Sequence, residues 1–314
     1  MITVVTLNPA LDKIYFVDGF KVGSMFRVKN IIKSAGGKGI NVSRVLSVLG
    51  AQVFTSGFLA GDTGKWICDS ITSHGIENSF IWVDGETRTN INVIDNTCMT
   101  ETEILEFGPF IKEADICSYL SNLKDILKRT KVLICTGGLP DGIPVDFYKT
   151  LLDMAKPLGI KTILDASGDT LKEGIKAGPD FIKPNLRELS YVYGKSISSK
   201  EDIIKACVCI LDSGVGSVIA SMGAEGAIMA DKSSIMHIKP PGINAVNSIG
   251  SGDSMTAGVA FGLLNGYSRE DMMKLGTACA VSNTQFMEIG MISLKSIEEY
   301  KNNCKIEYYE NYDA

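Results

Sequence analysis

The sequence predicts an α/β fold in which a mostly parallel sheet is covered by helices on both faces. From about residue 40 onward, short runs of apolar and β-branched residues alternate with segments of helical character. No internal repeat, low-complexity segment or Pro- or Ser-rich linker divides the chain. This alternation is typical of βαβ units, whose strands are buried on both faces and therefore read as nearly continuous apolar runs.

The predicted elements follow one another along the chain as strand and helix. The helical stretch "GINVSRVLSVLG" precedes the strand "AQVFTSGF", and four later runs also read as strands: "KVLICTGG", "IKTILDAS", "PDFIKPN" and "GSVIASMG". A candidate helix follows each of these four runs. Because ligands bind where parallel strands end, the residues just after these runs are the first places to search for a site.

Two segments break the pattern. Residues 12–33 and 87–108 have an alternating, turn-interrupted character that is typical of antiparallel strands. We expect them to form a small separate sheet. Two interpretations stay open: a lid over a site, or an ordinary extension at the edge of the main sheet.

Composition excludes several classes of function. The 314 residues include 36 acidic and 31 basic side chains, a net charge of −5, which argues against a nucleic-acid-binding protein. The first residues, "MITVVTLNP", lack the features of a signal peptide, and no apolar run is long enough to span a membrane. We therefore expect a soluble, cytoplasmic protein that binds small molecules.

The cysteines and histidines predict no metal centre. Eight cysteines contain no CxxC pair, and the two histidines, His74 and His237, are far apart in sequence. A structural zinc site or a Cys/His nucleophile is not indicated.

The stretch "NSIGSGDSMTAG", residues 247–258, places two glycines and an aspartate at the start of a helix. Unpartnered amides and the helix dipole make such a turn suitable for an anion, and glycine lets the backbone approach it closely. Gly250, Ser251 and Gly252 could cradle a phosphate while Asp253 takes a proton from a nearby hydroxyl. The alternative is an ordinary helix cap.

A second glycine-rich stretch, "SAGGKGINVSRVL", precedes an amphipathic helix. Gly37 and its neighbouring glycines, with Lys38 and Asn41, offer backbone donors, a cation and an amide to a polyol or its phosphate. The alternative is a tight turn between a strand and a helix.

Two single residues add candidates for a sugar phosphate. Asp12 ends "NPALD" just past the first strand, where a carboxylate can accept hydrogen bonds from two sugar hydroxyls. Arg88 in "GETRTN" has a planar guanidinium that suits a phosphate dianion. Taken alone, the first could be a turn residue and the second a solvated surface arginine.

Two further stretches point to a nucleotide and a metal. In "KPNLRE", Asn185 and Glu188 lie three residues apart at a helix start, where they could hold waters around Mg²⁺ or form a capping box. In "SMGAEGA", Gly223 and Gly226 could bring the backbone near a nucleotide or make a hairpin turn. The chain has neither a P-loop nor a G-x-G-x-x-G fingerprint.

These stretches, in this order, resemble the PfkB family of ribokinase-like sugar kinases across nearly the whole chain. "TLNPALD", "AGGKGIN", "GETRTN" and "TEILEFGP" are most similar to its phosphosugar branch, the 1-phosphofructokinases and tagatose-6-phosphate kinases. The resemblance implies a single kinase domain over residues 1–314. This domain would be a three-layer α/β/α sandwich with a mostly parallel sheet and a small β-sheet lid, and a homodimer would form through the lid.

The resemblance also implies roles for the candidate residues. Asp253 would be the catalytic base, and the backbone of Gly250, Ser251 and Gly252 would form the anion hole. The sugar side would comprise Asp12, Gly37 and Asn41 at the hydroxyls, with Lys38 and Arg88 near the sugar phosphate.

ATP, Mg²⁺ and, in some members, a monovalent cation are the implied cofactors. Asn185 and Glu188 match an NxxE element that organises Mg²⁺ through water. The ATP site would be lined by Lys183, Asn185, Ser221, Gly223 and Gly226, with Asn283 near the adenine. The chain departs from the branch at "TGGLP", where Gly138 replaces a serine that usually helps to bind the sugar phosphate.

The sequence therefore predicts an ATP-dependent kinase that converts a ketohexose monophosphate to the bisphosphate. Fructose 1-phosphate, phosphorylated at O6, is the first candidate substrate, and tagatose 6-phosphate, phosphorylated at O1, is the alternative. A non-catalytic sugar-phosphate sensor on the same fold is a rival, but Asp253 and the glycines of "GSGD" are all present. A kinase for a neutral sugar or nucleoside is disfavoured, because Lys38 and Arg88 would then have no anion to pair with.

Overall fold

The computed structural model describes residues 1–309, and within them ten strands form one large sheet. In order across the sheet these are β14 (Lys305–Tyr309), β13 (Ile235–Lys239), β12 (Ala227–Asp231), β11 (Ser217–Ser221), β10 (Phe181–Ile182), β9 (Lys161–Asp165), β8 (Val132–Thr136), β1 (Ile2–Thr6), β4 (Val53–Leu59) and β5 (Glu77–Trp82). The strands from β11 to β5 are parallel, whereas β12, β13 and β14 add antiparallel pairs at one edge. The predicted mostly parallel sheet is confirmed.

Helices cover both faces of this sheet. They are α1 (Lys38–Val48), α2 (Gly61–Ser73), α3 (Glu113–Leu127), α4 (Phe147–Ala155), α5 (Gly168–Ile175), α6 (Leu186–Tyr193), α7 (Lys200–Leu211), α8 (Ser251–Leu264), α9 (Arg269–Asn283) and α10 (Leu294–Asn303). Successive residues of a strand point to opposite faces. In β8, Val132 and Ile134 accordingly belong to the core on one face, under α1, α2, α8, α9 and α10. Leu133 and Cys135 belong to the core on the opposite face, under α3, α4, α5 and α7. Two hydrophobic cores therefore enclose the sheet.

A second, four-stranded sheet comes from the two segments that broke the sequence pattern. Its order is β3 (Ile31–Gly36), β2 (Ala10–Val17), β6 (Thr89–Asp95) and β7 (Thr100–Leu105). The pairs β2–β3 and β6–β7 are antiparallel as expected, but β2 and β6 are parallel. Each antiparallel pair joins strands that are neighbours in sequence. The central pair joins remote parts of the chain, so no local turn sets its direction.

The carboxyl ends of the parallel strands meet at one edge of the large sheet, and the candidate residues follow them. Thr6 ends β1 and is packed between two glycines. A Cβ on Gly57 of β4 would lie 1.9 Å from the Thr6 carbonyl oxygen, and one on Gly39 of α1 would lie 2.3 Å from the Thr6 Cβ. These glycines let β4 and the first turn of α1 approach the end of β1, where Asp12 and the small sheet begin.

Helix α8 is held against α9 by a second close approach. A Cβ on Gly258 would lie 2.7 Å from the Cα of Gly276, so the two helices can cross closely only without side chains at these positions. The packing fixes α8, whose first turn carries "GSGD". None of the helices within residues 1–309 combines the length and apolar character that crossing a bilayer requires.

The packing around Thr6 yields a stability prediction. Gly57→Ala would force a methyl group against a backbone oxygen, and overpacking of this kind costs about 1–3 kcal/mol. We expect the urea midpoint of unfolding, followed by circular dichroism, to fall clearly. Gly242→Ala is the matched control, because a Cβ at Gly242 would meet no atom within 4 Å. Equal midpoints for the two variants would contradict the close contact.

Candidate active site

The start of α8 is built for close approach of an anion. Gly250 caps the helix in the left-handed region, with φ +77°, and a Cβ there would lie 2.3 Å from a methyl group of Ile289. The helix begins at Ser251, so that Asp253 lies in its first turn, as expected. The amide hydrogens of Gly252 and Asp253 have no acceptor among residues 1–309. Free amides at a helix start carry partial positive charge, which suits a phosphate oxygen.

Asp253 lies in this first turn and is buried. Its carboxylate accepts a hydrogen bond of 2.8 Å from the side-chain amide of Asn41 on α1. Burial and the negative charge of Asp165 raise the pKa of Asp253 to about 6, against the opposing effect of Lys38. The carboxylate is thus ionised near neutral pH yet basic enough to accept a proton.

Asp165, at the end of β9, is the centre of the site and was not predicted from the sequence. Its buried carboxylate contacts Lys38 at 3.0 Å and Lys183 at 3.2 Å. Thr256 of α8 also donates to it, at 2.9 Å. Burial alone would raise the pKa of Asp165, but the two lysines outweigh it and lower the pKa to about 2. A signal was available, since Asp165 ends the strand-like run "KTILD", where ligands of parallel sheets bind.

Lys38 has carboxylate partners within the site, and its place beside the sugar phosphate stays a prediction. Its ammonium pairs with Asp165 and lies 3.9 Å from Glu188, and the charge of Asp165 raises the pKa of Lys38. The reason for this pairing is electrostatic, because a buried carboxylate attracts the nearest flexible cation. Arg88 is left as the cation beside Asp12.

Lys183, assigned to the ATP site, lies beside the start of α8. Its ammonium would be 3.3 Å from a Cβ on Gly252, so the missing side chain of Gly252 keeps this space open. Lys183 is buried and paired with Asp165. A cation and two free amides therefore face the same space.

The predicted sugar side is assembled on the small sheet. Asp12 of β2 lies opposite Asn90 of β6, and the Asn90 amide donates to the Asp12 carboxylate at 2.9 Å. A Cβ on Gly36 would lie 1.8 Å from an Asp12 oxygen, and Gly37, at φ +89°, donates its backbone amide to the same carboxylate. Burial raises the pKa of Asp12, although these hydrogen bonds and the charge of Arg88 oppose the shift. Gly36 thus leaves room for the Asp12 carboxylate, and Gly37 holds it by a hydrogen bond.

Arg88 stands just before β6 and is only partly exposed. Its guanidinium donates to the backbone carbonyl of Asn8 at 2.9 Å, and its Nε has no partner in the described part of the chain. Unpartnered buried polar atoms are rare and suggest a missing ligand. Further examples occur beside Asp12 and Asp253, at the side-chain oxygens of Asn8, Asn41 and Asn90.

Asn185 and Glu188 form the capping box that was one of the two sequence interpretations. Asn185 accepts from the Glu188 amide and Glu188 accepts from the Asn185 amide, both at 2.9 Å. The second Glu188 oxygen faces Lys38. Residues 1–309 contain no cluster of three His, Cys, Asp or Glu side chains that could hold a metal ion. A metal here would rely on water and on ligands from a substrate.

The stretch "SMGAEGA" makes a hairpin between β11 and β12, as one interpretation expected. Ser221 ends β11 and pairs with Asn185 through an isolated bridge, which places the hairpin beside the start of α6. Gly223 has φ +59° and open space around it. Gly226 is a packing glycine, because a Cβ there would lie 1.9 Å from the carbonyl oxygen of Ile238.

Gly138 and Asn283 complete the predicted set. A Cβ on Gly138 would meet no atom within 4 Å, so the serine that is usual in the branch would fit there. Asn283 is buried, donating to the Ile249 carbonyl at 2.8 Å and accepting from the Gly290 amide at 2.9 Å. With both ends of its amide engaged inside the protein, Asn283 supports the turn before α8, and this geometry does not favour its predicted contact with adenine.

Comparison with known proteins finds relatives that match nearly the whole chain. A tagatose-6-phosphate kinase of Staphylococcus epidermidis is 36% identical over 302 residues, which cover 95% of this chain and 97% of the relative. A Thermotoga maritima structure described as a possible 1-phosphofructokinase has a TM-score of 0.89 and 27% identity, covering 98% of this chain and 99% of that one.

The fold alone is shared more widely. Phosphofructokinase-2 from Escherichia coli, in a complex with potassium, superposes with a TM-score of 0.89 at 24% identity, covering 96% of this chain and 98% of that one. The family model for pfkB family carbohydrate kinases matches residues 3–288. With this match and the close relative across nearly its full length, the chain belongs to the pfkB family of carbohydrate kinases.

Proposed function

We propose that this protein is an ATP-dependent kinase that converts a ketohexose monophosphate to its bisphosphate. Fructose 1-phosphate is the first candidate substrate and tagatose 6-phosphate the second. The observation that carries the proposal is the buried carboxylate of Asp253 in a helix turn with free amides, beside Asn41, Lys38 and Lys183. A base and an anion-binding turn at one point are what phosphoryl transfer to an alcohol requires.

Asp253 is the proposed general base. The acceptor hydroxyl gives its proton to the carboxylate as its oxygen attacks the γ-phosphorus of ATP, the bond from that phosphorus to the bridging oxygen breaks, and ADP leaves. The Asn41 amide holds the carboxylate in place. Because the pKa of Asp253 is raised to about 6, the carboxylate is ionised at neutral pH and still accepts a proton readily.

The amides of Gly252 and Asp253, with the ammonium of Lys183, are the proposed donors to the transferring phosphoryl group. They are fixed before the reaction, so they stabilise developing charge without reorganisation. Lys38 is anchored by Asp165 at the same place, and we assign it to the phosphoryl group or the nucleotide rather than to the sugar phosphate.

The proposed site for ATP and Mg²⁺ lies where Glu188 approaches Lys38, at the start of α6. The Glu188 oxygen that faces Lys38 and the side chain of Asn185 would hold waters of Mg²⁺, and the nucleotide phosphates would supply its remaining ligands. Bound there, Mg²⁺ would neutralise charge on the nucleotide phosphates. The open turn at Gly223 would lie along the nucleotide.

A monovalent cation finds less support. One structural neighbour was solved with potassium. In this chain two backbone carbonyls beside the start of α8 already accept hydrogen bonds from side chains, that of Ile249 from Asn283 and that of Ile289 from Arg44. We therefore propose no step through a monovalent cation.

We further propose that the small sheet closes over the sugar and pairs two copies of the chain. All six residues of β7 are exposed, and its outer edge has no neighbouring strand in the described residues. Ile104, Leu105 and Phe107 are 52%, 58% and 87% exposed, an apolar surface that a second copy could cover. A cytoplasmic location completes the proposal and suits eight cysteines that are all free thiols.

The substrate assay tests the proposed function most directly. With ATP and Mg²⁺, we expect turnover of fructose 1-phosphate, tagatose 6-phosphate or both, and little turnover of free fructose. Measured kcat/KM values for these sugars and for fructose 6-phosphate would rank the candidates. Absence of turnover with every phosphosugar would contradict the proposal, and preference for an unphosphorylated sugar would reject the role of Arg88.

Asp253→Asn tests the base. The amide keeps the shape of the side chain and its contact with Asn41, so phosphosugar binding by calorimetry should be nearly unchanged. We expect kcat to fall by about 10²–10⁴, the usual contribution of a positioned base. Asp62→Asn, in the first turn of α2, changes an exposed carboxylate at a similar helix position and should leave kcat unchanged.

The same residue predicts a pH profile. Because the folded-state pKa of Asp253 is about 6, the base form is lost as the pH falls through this value. We expect kcat/KM of the unaltered enzyme to be level near pH 7–8 and to drop about tenfold per pH unit well below pH 6. A profile that stays level down to pH 5 would exclude Asp253 as the base.

Arg88→Ala tests recognition of the sugar phosphate. Hydrogen bonds to charged groups are worth about 1.5–3 kcal/mol, so KM for the phosphosugar should rise roughly 10- to 100-fold. KM for ATP should change little. Arg129→Ala removes an arginine that faces Phe54 and Glu77, and it serves as the control. Equal increases in both KM values would count against the assignment.

A further inference from the structure

A loop that follows α9 lies directly behind the start of α8, and one buried arginine holds it. We propose that Arg44 of α1 is a positioning residue that fixes this loop, residues 284–292, and through it the anion-binding turn at Gly250. The inference rests on the proposed function, in which that turn binds the transferring phosphoryl group. Arg44 itself contacts neither the turn nor Asp253 in the described residues.

Among residues 1–309, the three hydrogen bonds of the Arg44 guanidinium all go to this loop. The guanidinium donates to the Ile289 carbonyl at 2.9 Å and to the Glu288 carboxylate, and it lies 3.3 Å from the sulfur of Met291. The arginine side chain is 6% exposed and that of Glu288 is 39% exposed. A buried cation held by a carbonyl and a carboxylate has a defined geometry, which a solvated surface pair would lack.

The loop, in turn, packs against and hydrogen-bonds to the residues that precede α8. Ile289 packs against Gly250, where a Cβ would lie 2.3 Å from its methyl group. The next residue, Gly290, donates its amide to Asn283, and Asn283 donates to the carbonyl of Ile249. Ile249 and Gly250 are the residues that lead into the free amides of α8.

Helix α1, which carries Arg44, also carries the residue that holds the proposed base. Asn41, which holds the Asp253 carboxylate, precedes Arg44 by three residues and so lies on the same side of the helix. Gly290 packs on it, because a Cβ there would lie 3.1 Å from the Cα of Asn41. One face of α1 therefore positions the base through Asn41 and the anion-binding turn through Arg44.

Arg44 thus fixes the position of the anion-binding turn at Gly250 relative to the base, Asp253. Its loss would leave Asp253 with its amide partner but would free the loop that supports Gly250. Misplacement of a reacting group by about 1 Å can cost about 10²-fold in rate. The effect should fall on kcat, since the phosphosugar contacts of Asp12 and Arg88 lie on the small sheet and are untouched.

Arg44→Met tests the inference, because it keeps the length of the side chain and removes its charge and donors. We expect kcat to fall roughly 10- to 100-fold, with KM for the phosphosugar nearly unchanged. Arg44→Lys restores the charge and one donor, and it should recover a large part of kcat. Amide hydrogen exchange should become faster in residues 246–252 and 286–292 of Arg44→Met.

Arg269→Met is the matched control. It removes an arginine that pairs with the buried carboxylate of Asp231 at 2.7 Å, far from "GSGD" in sequence. We expect this variant to lose stability without slower turnover by the folded protein. If Arg44→Met does not fold, Glu288→Ala gives the test, since Glu288 is half-exposed, and a smaller decrease in kcat is expected.

Two results would overturn the inference. One is turnover by Arg44→Met, or by Glu288→Ala in its place, that equals turnover by Arg269→Met. The other is unchanged exchange in residues 246–252. Failure of the proposed function would be distinguishable from both results, because the unaltered chain would then show no turnover. In that case the comparison of hydrogen exchange between Arg44→Met and the unaltered chain would still decide whether Arg44 positions the turn.

Discussion

Competition for positive charge between two buried carboxylates governs this site. Asp165 pairs with both Lys38 and Lys183, and these charges lower its pKa to about 2 despite burial. Asp253 has the neutral amide of Asn41 as its direct partner, and burial with the charge of Asp165 raises its pKa to about 6. One carboxylate is therefore a fixed anion that anchors two cations, and the other is free to exchange a proton. Environments that separate the pKa values of paired carboxylates in this way are how proteins assign them different chemical roles.

The parallel sheet brings these groups together. Asp165 ends β9, Lys183 follows β10, and Lys38 begins the helix that packs on the end of β1. Their strands are neighbours or near neighbours in the sheet, so their carboxyl ends open at one edge although the residues are far apart in sequence. Helix α8 then crosses α9 at a glycine–glycine contact and presents its first turn to that edge. Asp165 and Asp253 thus lie on regular elements, at a strand end and in a first helical turn.

The small sheet contributes the groups that would select a substrate. Its central parallel pair sets Asp12 beside Asn90, with Arg88 one residue before β6. Those residues would hold a sugar phosphate, while the large sheet and α8 would carry out the transfer.

The fold class and the local turns that carry the candidate residues could be predicted from the amino-acid order alone. Apolar runs predicted the buried parallel strands, and "GSGD", "GGKG" and "KPNLRE" predicted helix starts at the positions the structure has. Such signals are local, because a cap, a glycine or a buried run acts through its immediate neighbours. The pairing of side chains could not be predicted in this way, because it is set by how remote parts of the chain pack together. Asp165 was not recognised as a site residue, Lys38 was expected beside the sugar phosphate, and Asn283 was expected near adenine. Asp165 and Lys38 are 127 residues apart and Asn283 lies 34 residues from Ile249, and long-range electrostatics and packing leave no local pattern in a sequence.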